Sequence, residues 1–267
     1  MLYFSYYFCY RLSLPYSIPV LLYHHIGIPR TGSYPYLTVS SFQFRKQIRW
    51  LLDHRFRFIT ASDYLASLQQ NVALRDKQVL VTFDDAYADL DENALPVLQE
   101  YGIGATIFVV TSQINGTNAW DKNRGWAHSF PLLSKDRIQY WASHGMEFGA
   151  HSHTHIDLRT IPKTQLEEEI VRSKLELERI LARQIISFAY PFGAYNESVR
   201  DVVSKSFELA FTSNRGVNKK LTDRYQLRRT APYRTDADLE MWFRVHIGWT
   251  PADRLRNLRT RLKRFDR

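Results

Sequence analysis

The chain has 267 residues, 45% of them hydrophobic, which suffices for one large α/β domain or two small ones with a full core. The only cysteine, Cys9, excludes an internal disulfide and a thiolate zinc cluster. No recognition motif for nucleic acid accompanies the net charge of +9, so nucleic acid is not expected as a partner.

Residues 1–17 are expected to form an N-terminal extension outside the folded domain. The segment is apolar and aromatic, but Arg11 interrupts it, and it has neither a basic start nor a small-residue cleavage site. It is also too short to span a membrane. We therefore expect no signal peptide, and a location in the cytoplasm or at a membrane surface.

Strand-like apolar runs alternate with helical patterns through residues 18–249, which predicts parallel βα units. Strands are predicted at 18–23, 56–60, 79–83, 105–110, 146–150, 185–190 and 209–212. Helices are predicted at 41–54, 61–69, 89–101, 135–143, 163–181 and 198–205. Roughly seven such units favour a single α/β barrel. The long loop at 111–131 is expected to be functional, because loops of this length are uncommon in compact domains.

The last segment, residues 250–267, is predicted to be a separate basic tail. Its cations are Arg254, Arg256, Arg259, Arg261, Lys263, Arg264 and Arg267. Leucines at 255, 258 and 262 favour an amphipathic helix with a solvated basic face. A weak contact of this tail with an anionic membrane surface is the alternative.

Two polar motifs each follow a predicted strand. Asp84 and Asp85 end one apolar run, and His151 and His155 end another. Alone, the first motif could cap a helix and the second could be a helical surface pair. Together, at the carboxyl ends of strands where α/β barrels carry their chemistry, they favour a metal site. One aspartate and two histidines would leave a position for water, and the second aspartate could serve as base, which predicts a metal-dependent hydrolase.

Four segments resemble the polysaccharide deacetylases of the NodB-homology group, which is carbohydrate esterase family 4. They are Val-Thr-Phe-Asp-Asp at 81–85, His-Ser-His-Thr-His at 151–155, Phe-Ala-Tyr-Pro-Phe-Gly at 188–193 and Val-Leu-Leu-Tyr-His-His-Ile at 20–26. The last is similar to the opening strand of the exopolysaccharide-associated branch. The resemblance covers about residues 18–245 and implies a distorted (β/α)7 barrel. It also implies removal of N-acetyl groups from an amino-sugar glycan, which would be the partner of the protein.

The resemblance assigns roles position by position. Asp84 matches the catalytic base, and His24 resembles the general acid of the exopolysaccharide-associated branch. The backbone N–H of Phe192 matches the oxyanion donor. The remaining matches are the ligands of one divalent ion, usually zinc, which would be Asp85, His151 and His155.

The chain departs from the family pattern at several positions. Many members have an arginine that orients the base where this chain has Ala189, and Arg229 is expected to replace it. Ala86 stands where glycine is frequent. A C-terminal Leu-x-His motif is missing, so His246 is only the second candidate for the acid.

Further residues are expected near the sugar. Tyr190, Trp120 and Asp121 are predicted to contact substrate, although packing within the loop is an equal alternative for the last two. His25 is expected to be structural. Two other functions remain open, namely an amidase or esterase for a small acetylated substrate and a non-catalytic glycan-binding relative. The base Asp84 beside three ligands argues against the second of these, because binding alone needs no base.

Overall fold

The computed structural model describes residues 17–28, 37–69, 77–124 and 129–253. Residues 254–267 of the predicted basic tail and almost all of the predicted N-terminal extension lie outside these residues, so the domain boundaries remain predictions. The predicted α/β class is confirmed, because a curled, parallel sheet organises the chain. None of the helices in the described ranges is long and apolar enough to cross a membrane.

The central sheet contains seven strands, and its strand pairs in the described residues are parallel. They are β2 (Val20–Tyr23), β5 (Arg57–Ile59), β6 (Gln78–Phe83), β7 (Thr106–Val109), β8 (Glu147–Ala150), β9 (Ser187–Ala189) and β10 (Leu209–Phe211). The spatial order is β10-β9-β8-β7-β6-β2, and β5 pairs with the first half of β6. Two small pairs lie apart from it, β1 (Ser17–Ile18) with β11 (Asn218–Lys219), and β3 (His25–Ile26) with β4 (Thr38–Val39).

Residues 227–230 bridge the two edges of the curled sheet. The Leu227 N–H donates to the Ala210 carbonyl of β10 at 2.9 Å. The Thr230 N–H donates to the Val20 carbonyl of β2, also at 2.9 Å. This bridge carries Arg229 into the space between the first and last strands, far along the sequence from either metal motif.

The helices follow the predictions closely, with one correction. Their bounds are Ser41–Asp53, Ala61–Gln69, Asp89–Asn93, Leu95–Glu100, Lys135–Ser143, Lys163–Leu181, Glu197–Ser206 and Asp238–His246. The helix predicted at 89–101 is two helices, because Pro96 has no N–H to donate and its ring crowds the carbonyl four residues earlier. The predicted loop at 111–131 contains two short 3₁₀ helices, Thr111–Gln113 and Ala119–Arg124.

Strand residues alternate between two hydrophobic clusters, as the two-residue period of a strand requires. One cluster, inside the curl of the sheet, includes Val20, Leu80 and Phe211. The larger cluster packs the other face of the sheet against the helices and includes Val81 and many helical residues. Hydrophobic packing therefore covers both faces of every strand of the central sheet except β8, and the candidate catalytic residues lie at the strand ends.

Candidate active site

Parallel strands deliver the predicted catalytic residues to one rim of the sheet. Strand β6 ends immediately before Asp84, and β8 ends immediately before His151. Strand β2 pairs with β6 so that Tyr23 lies opposite Phe83, and the Asp84 N–H donates to the Tyr23 carbonyl at 3.0 Å. His24 consequently leaves its strand at the same level as Asp84.

The predicted metal ligands lie together. Suitable ligand atoms of Asp85, His151 and His155 are all within 4.8 Å of one another, and all three residues are buried. The Asp85 Oδ1 atom lies 3.4 Å from Nε2 of His151 and 3.3 Å from Nε2 of His155. Ligand atoms around a tetrahedral ion with bonds of about 2.1 Å are about 3.4 Å apart, so these two distances fit a divalent ion.

The hydrogen bonds around this cluster also fit a metal ion. Nδ1 of His151 lies 2.7 Å from the Ala189 carbonyl, an acceptor, so Nδ1 carries the proton and Nε2 is free to act as ligand. Burial lowers the pKa of His151 to about 4, so its ring is neutral at neutral pH. Oδ1 of Asp85 is buried without a hydrogen-bond partner. Because such an atom is costly to bury unpaired, a bound cation would be its natural partner.

Arg229 contacts Asp84, the residue that it was predicted to orient. Its Nη1 and Nη2 atoms donate to the two carboxylate oxygens of Asp84 at 2.6 and 2.7 Å, and its Nε atom donates to the Thr212 carbonyl. Arg229 and Asp84 are 1% and 4% exposed, so this is a buried bidentate ion pair. Burial acts to raise the pKa of Asp84, but the guanidinium of Arg229 and the His151 ring lower it further than burial raises it.

The two neighbouring histidines at the end of β2 have different surroundings. His24 is half-buried, and burial lowers the pKa of its imidazole while the carboxylates of Asp84 and Asp85 oppose that effect. His25 is fully packed, with Nδ1 at 2.6 Å from an Asp89 oxygen and its ring stacked on Tyr87. The position of His24 fits a role in chemistry, and that of His25 fits a structural role.

Aromatic rings flank His155, one of the predicted metal ligands. The ring of Trp120 lies 4.5 Å from it, and the ring of Phe192 approaches edge-on at the same distance. Phe192 is 38% exposed, so part of its ring remains available to a ligand. Trp120, predicted from sequence to contact sugar, thus borders the site itself.

The other predicted residues have different surroundings. The Tyr190 side chain is fully buried, and its hydroxyl donates to the Tyr225 carbonyl at 3.0 Å, so its contact with substrate stays a prediction. Asp121 is buried and accepts a hydrogen bond from Asn118 at 2.8 Å, which fits loop packing. His246 packs against Trp242 and Phe56, before the start of β5, and cannot serve as the acid from there.

Four residues of the site adopt the left-handed backbone conformation, which costs free energy for residues other than glycine. The φ angles are 69° at Asp85, 56° at Ala86, 60° at His155 and 59° at Phe192. Ala86, where the family often has glycine, therefore occupies a position at which glycine would be less strained. At Gly149 the chain does have glycine, and space requires it. A Cβ atom there would lie 2.5 Å from the Ser187 hydroxyl oxygen, so only glycine fits.

Tyr87 and Glu169 border the site and were missed in the sequence. Tyr87 is buried between the metal site and the His25 ring, and burial, together with the charge of Asp85, raises its pKa well above the usual value. Its position two residues after Asp85 in the sequence could have predicted that it lies beside the site. Glu169 lies within the run Glu167-Glu168-Glu169, which is typical of a solvated helix face, and gave no signal.

The model of the polysaccharide deacetylase family matches residues 71–207, just over half of the chain. The chain therefore belongs to this family and is a hydrolase of the polysaccharide deacetylase type.

Two relatives in sequence support this assignment. Over 216 residues, 80% of this chain, it is 28% identical to YxkH of Bacillus subtilis, which is named as a polysaccharide deacetylase, and it spans 71% of that protein. Over 178 residues it is 28% identical to the poly-β-1,6-N-acetyl-D-glucosamine N-deacetylase of Staphylococcus aureus. That match covers 63% of this chain but only 58% of the Staphylococcus enzyme.

Solved structures share the fold. The deacetylase PplD of Streptococcus pyogenes superposes with a TM-score of 0.75 over 89% of this chain and 100% of its own, at 24% identity. IcaB of Ammonifex degensii gives a TM-score of 0.69 over 81% of this chain and 91% of its own, also at 24% identity. The predicted NodB-type fold and the resemblance to the exopolysaccharide-associated branch are thereby confirmed.

Proposed function

We propose that the protein removes N-acetyl groups from a glycan built of N-acetylglucosamine, or from a precursor of such a glycan, with the aid of one divalent ion. The observation that carries this proposal is the convergence of Asp85, His151 and His155 beside the buried pair of Asp84 and Arg229. The similarity to a Staphylococcus enzyme named for poly-β-1,6-N-acetyl-D-glucosamine supports the choice of substrate.

The ligands Asp85, His151 and His155 would hold the ion, and two nitrogens with one oxygen suit zinc. Bound there, the ion would polarise the amide carbonyl and make water more acidic. Asp84 would accept the proton of the attacking water at its carboxylate. Arg229 keeps that carboxylate ionised and fixed in orientation, which a base requires.

The remaining steps fall to two other groups. The backbone N–H of Phe192 would donate a hydrogen bond to the oxygen that becomes negative as water adds to the carbonyl. His24 would then protonate the nitrogen as the carbon–nitrogen bond breaks, which yields acetate and a free amine.

The role of His24 can be tested by comparing two substrates. We expect His24→Ala to slow acetate release from N-acetylglucosamine oligomers by roughly 10²-fold or more, because an amine leaves poorly without a proton. Hydrolysis of an activated aryl acetate, whose leaving group needs no proton, should change much less. The measurement is the initial rate on both substrates for the wild type and the variant.

His246→Ala is the matched control, since this histidine packs on Trp242 away from the site. It should leave both rates unchanged. Equal slowing of both substrates by His24→Ala, or slowing of neither, would remove His24 from the role of acid. A wild-type protein that hydrolyses the aryl acetate but releases no acetate from any oligomer would instead point to a small acetylated substrate.

A further inference from the structure

Glu169 is a buried carboxylate that takes no part in the chemistry proposed above. It lies on the helix Lys163–Leu181 and is 5% exposed. Within the described ranges, no lysine or arginine comes within ion-pair distance of it. An ionised carboxylate without a cation is costly to bury, so its hydrogen bonds must compensate.

Those hydrogen bonds all come from the turn that joins the two histidine ligands. Oε2 of Glu169 accepts from the N–H groups of His153 at 3.1 Å and Thr154 at 2.8 Å. Oε1 accepts from the Thr154 hydroxyl at 2.7 Å. The His153 N–H also reaches the main-chain carbonyl of Glu169 at 3.0 Å, which is the one contact that does not depend on the side chain.

The turn needs such support because its backbone is unfavourable. Ser152 and His155 have φ angles of 61° and 60°, in the left-handed region that residues other than glycine rarely adopt. A conformation of this kind persists only where its surroundings enforce it. The Ser152 hydroxyl, which accepts from the His155 N–H at 2.9 Å, supports the turn from within, and Glu169 supports it from the neighbouring helix.

We infer that Glu169 is a positioning residue for the metal site, which holds residues 153 and 154 so that His151 and His155 present their Nε2 atoms to the same ion. The inference rests on the proposed function, because it takes both histidines as ligands. It assigns the effect to the reach of the carboxylate and its two acceptor oxygens, and not to its negative charge.

Three substitutions separate the effect of side-chain length from the effect of charge. Glu169→Gln keeps the length and can turn its carbonyl oxygen toward the two N–H groups while its amide donates to the Thr154 hydroxyl oxygen. Glu169→Asp keeps the charge but is one methylene too short. Glu169→Ala loses both. We expect zinc to bind within about threefold of wild type in the Gln variant, about tenfold more weakly in the Asp variant and up to about 100-fold more weakly in the Ala variant.

Zinc and cobalt(II) affinities are measured by competition with a chromophoric chelator, which requires no substrate. The visible spectrum of bound cobalt(II) reports ligand geometry, and we expect it to change in the Asp and Ala variants only. Glu167→Ala, on the exposed face of the same helix, is the control and should match wild type in both measurements. The melting temperature of each metal-free variant shows how much of any loss is general destabilisation.

The outcomes separate this inference from the proposed function. The inference is overturned if both the Asp and Ala variants have the zinc affinity and the cobalt(II) spectrum of wild type. It is also overturned if the Gln variant binds zinc more weakly than the Asp variant, since that result indicates an effect of charge. If the Ala variant does not fold, the comparison of Gln with Asp still decides. If the Asp85→Ala variant binds zinc as tightly as wild type, the metal site itself is refuted, and the role of Glu169 with it.

Discussion

Replacing Asp84 with asparagine is expected to lower turnover of an N-acetylated oligomer by roughly 10²-fold or more, while zinc affinity stays near that of wild type. Asparagine keeps the shape of the side chain and one acceptor oxygen for Arg229, but it cannot take a proton from water at neutral pH. The Asp85 oxygen that faces both histidines is unaffected by this change. Turnover and zinc affinity are measured on the same preparations.

Asp85→Asn is the matched control, because the same chemical change is made one residue further along. Since Asp85 is a proposed ligand, this variant should lose zinc affinity and turnover together. If Asp84→Asn loses both as well, Asp84 is a ligand and not the base. Undiminished turnover in Asp84→Asn would mean that another residue accepts the proton.

Replacing Arg229 with methionine is expected to destabilise the metal-free protein by about 3–5 kcal/mol, which is typical for removing one partner of a buried ion pair. The carboxylate of Asp84 would be left buried without its guanidinium and would lose two short hydrogen bonds. Its pKa would rise, because Arg229 opposes the effect of burial there. The free energy of unfolding is obtained from denaturant titration in the presence of a chelator.

A double variant tests that explanation. Asp84→Leu combined with Arg229→Met replaces the pair by apolar side chains, and such replacements of buried pairs are often neutral or stabilising. We expect it to recover most of the stability that Arg229→Met loses. A double variant as unstable as Arg229→Met alone would show that the guanidinium stabilises the protein mainly through the Thr212 carbonyl and its packing.

The residues at the rim of the site could be predicted from the sequence because each position depends only on the strand just before it. Each metal motif follows an apolar strand directly, and parallel strands end on the same rim, so Asp84 and His151 had to lie near each other once the sheet was recognised. The two-residue alternation of side chains along a strand also places Tyr190 on the same side as Phe188, which faces the helices.

Contacts between segments that are far apart in the sequence were harder to predict. Arg229 and Asp84 are 145 residues apart, and only the family resemblance suggested that an arginine was missing at Ala189. Glu169 carries an ordinary helical sequence around it, and its burial depends on how the helix packs on the histidine turn. The left-handed backbone at Ala86 is likewise set by the closing of the turn after β6, for which alanine gives no sequence signal.

The most direct test of the central claim is acetate release from N-acetylglucosamine oligomers by the purified protein before chelation, after chelation and after one equivalent of zinc is restored. We predict that release stops when the ion is removed and returns when it is replaced. In an Asp85→Ala variant, zinc should restore nothing. Acetate release that continues at the same rate in metal-free protein, verified by elemental analysis, would contradict the account.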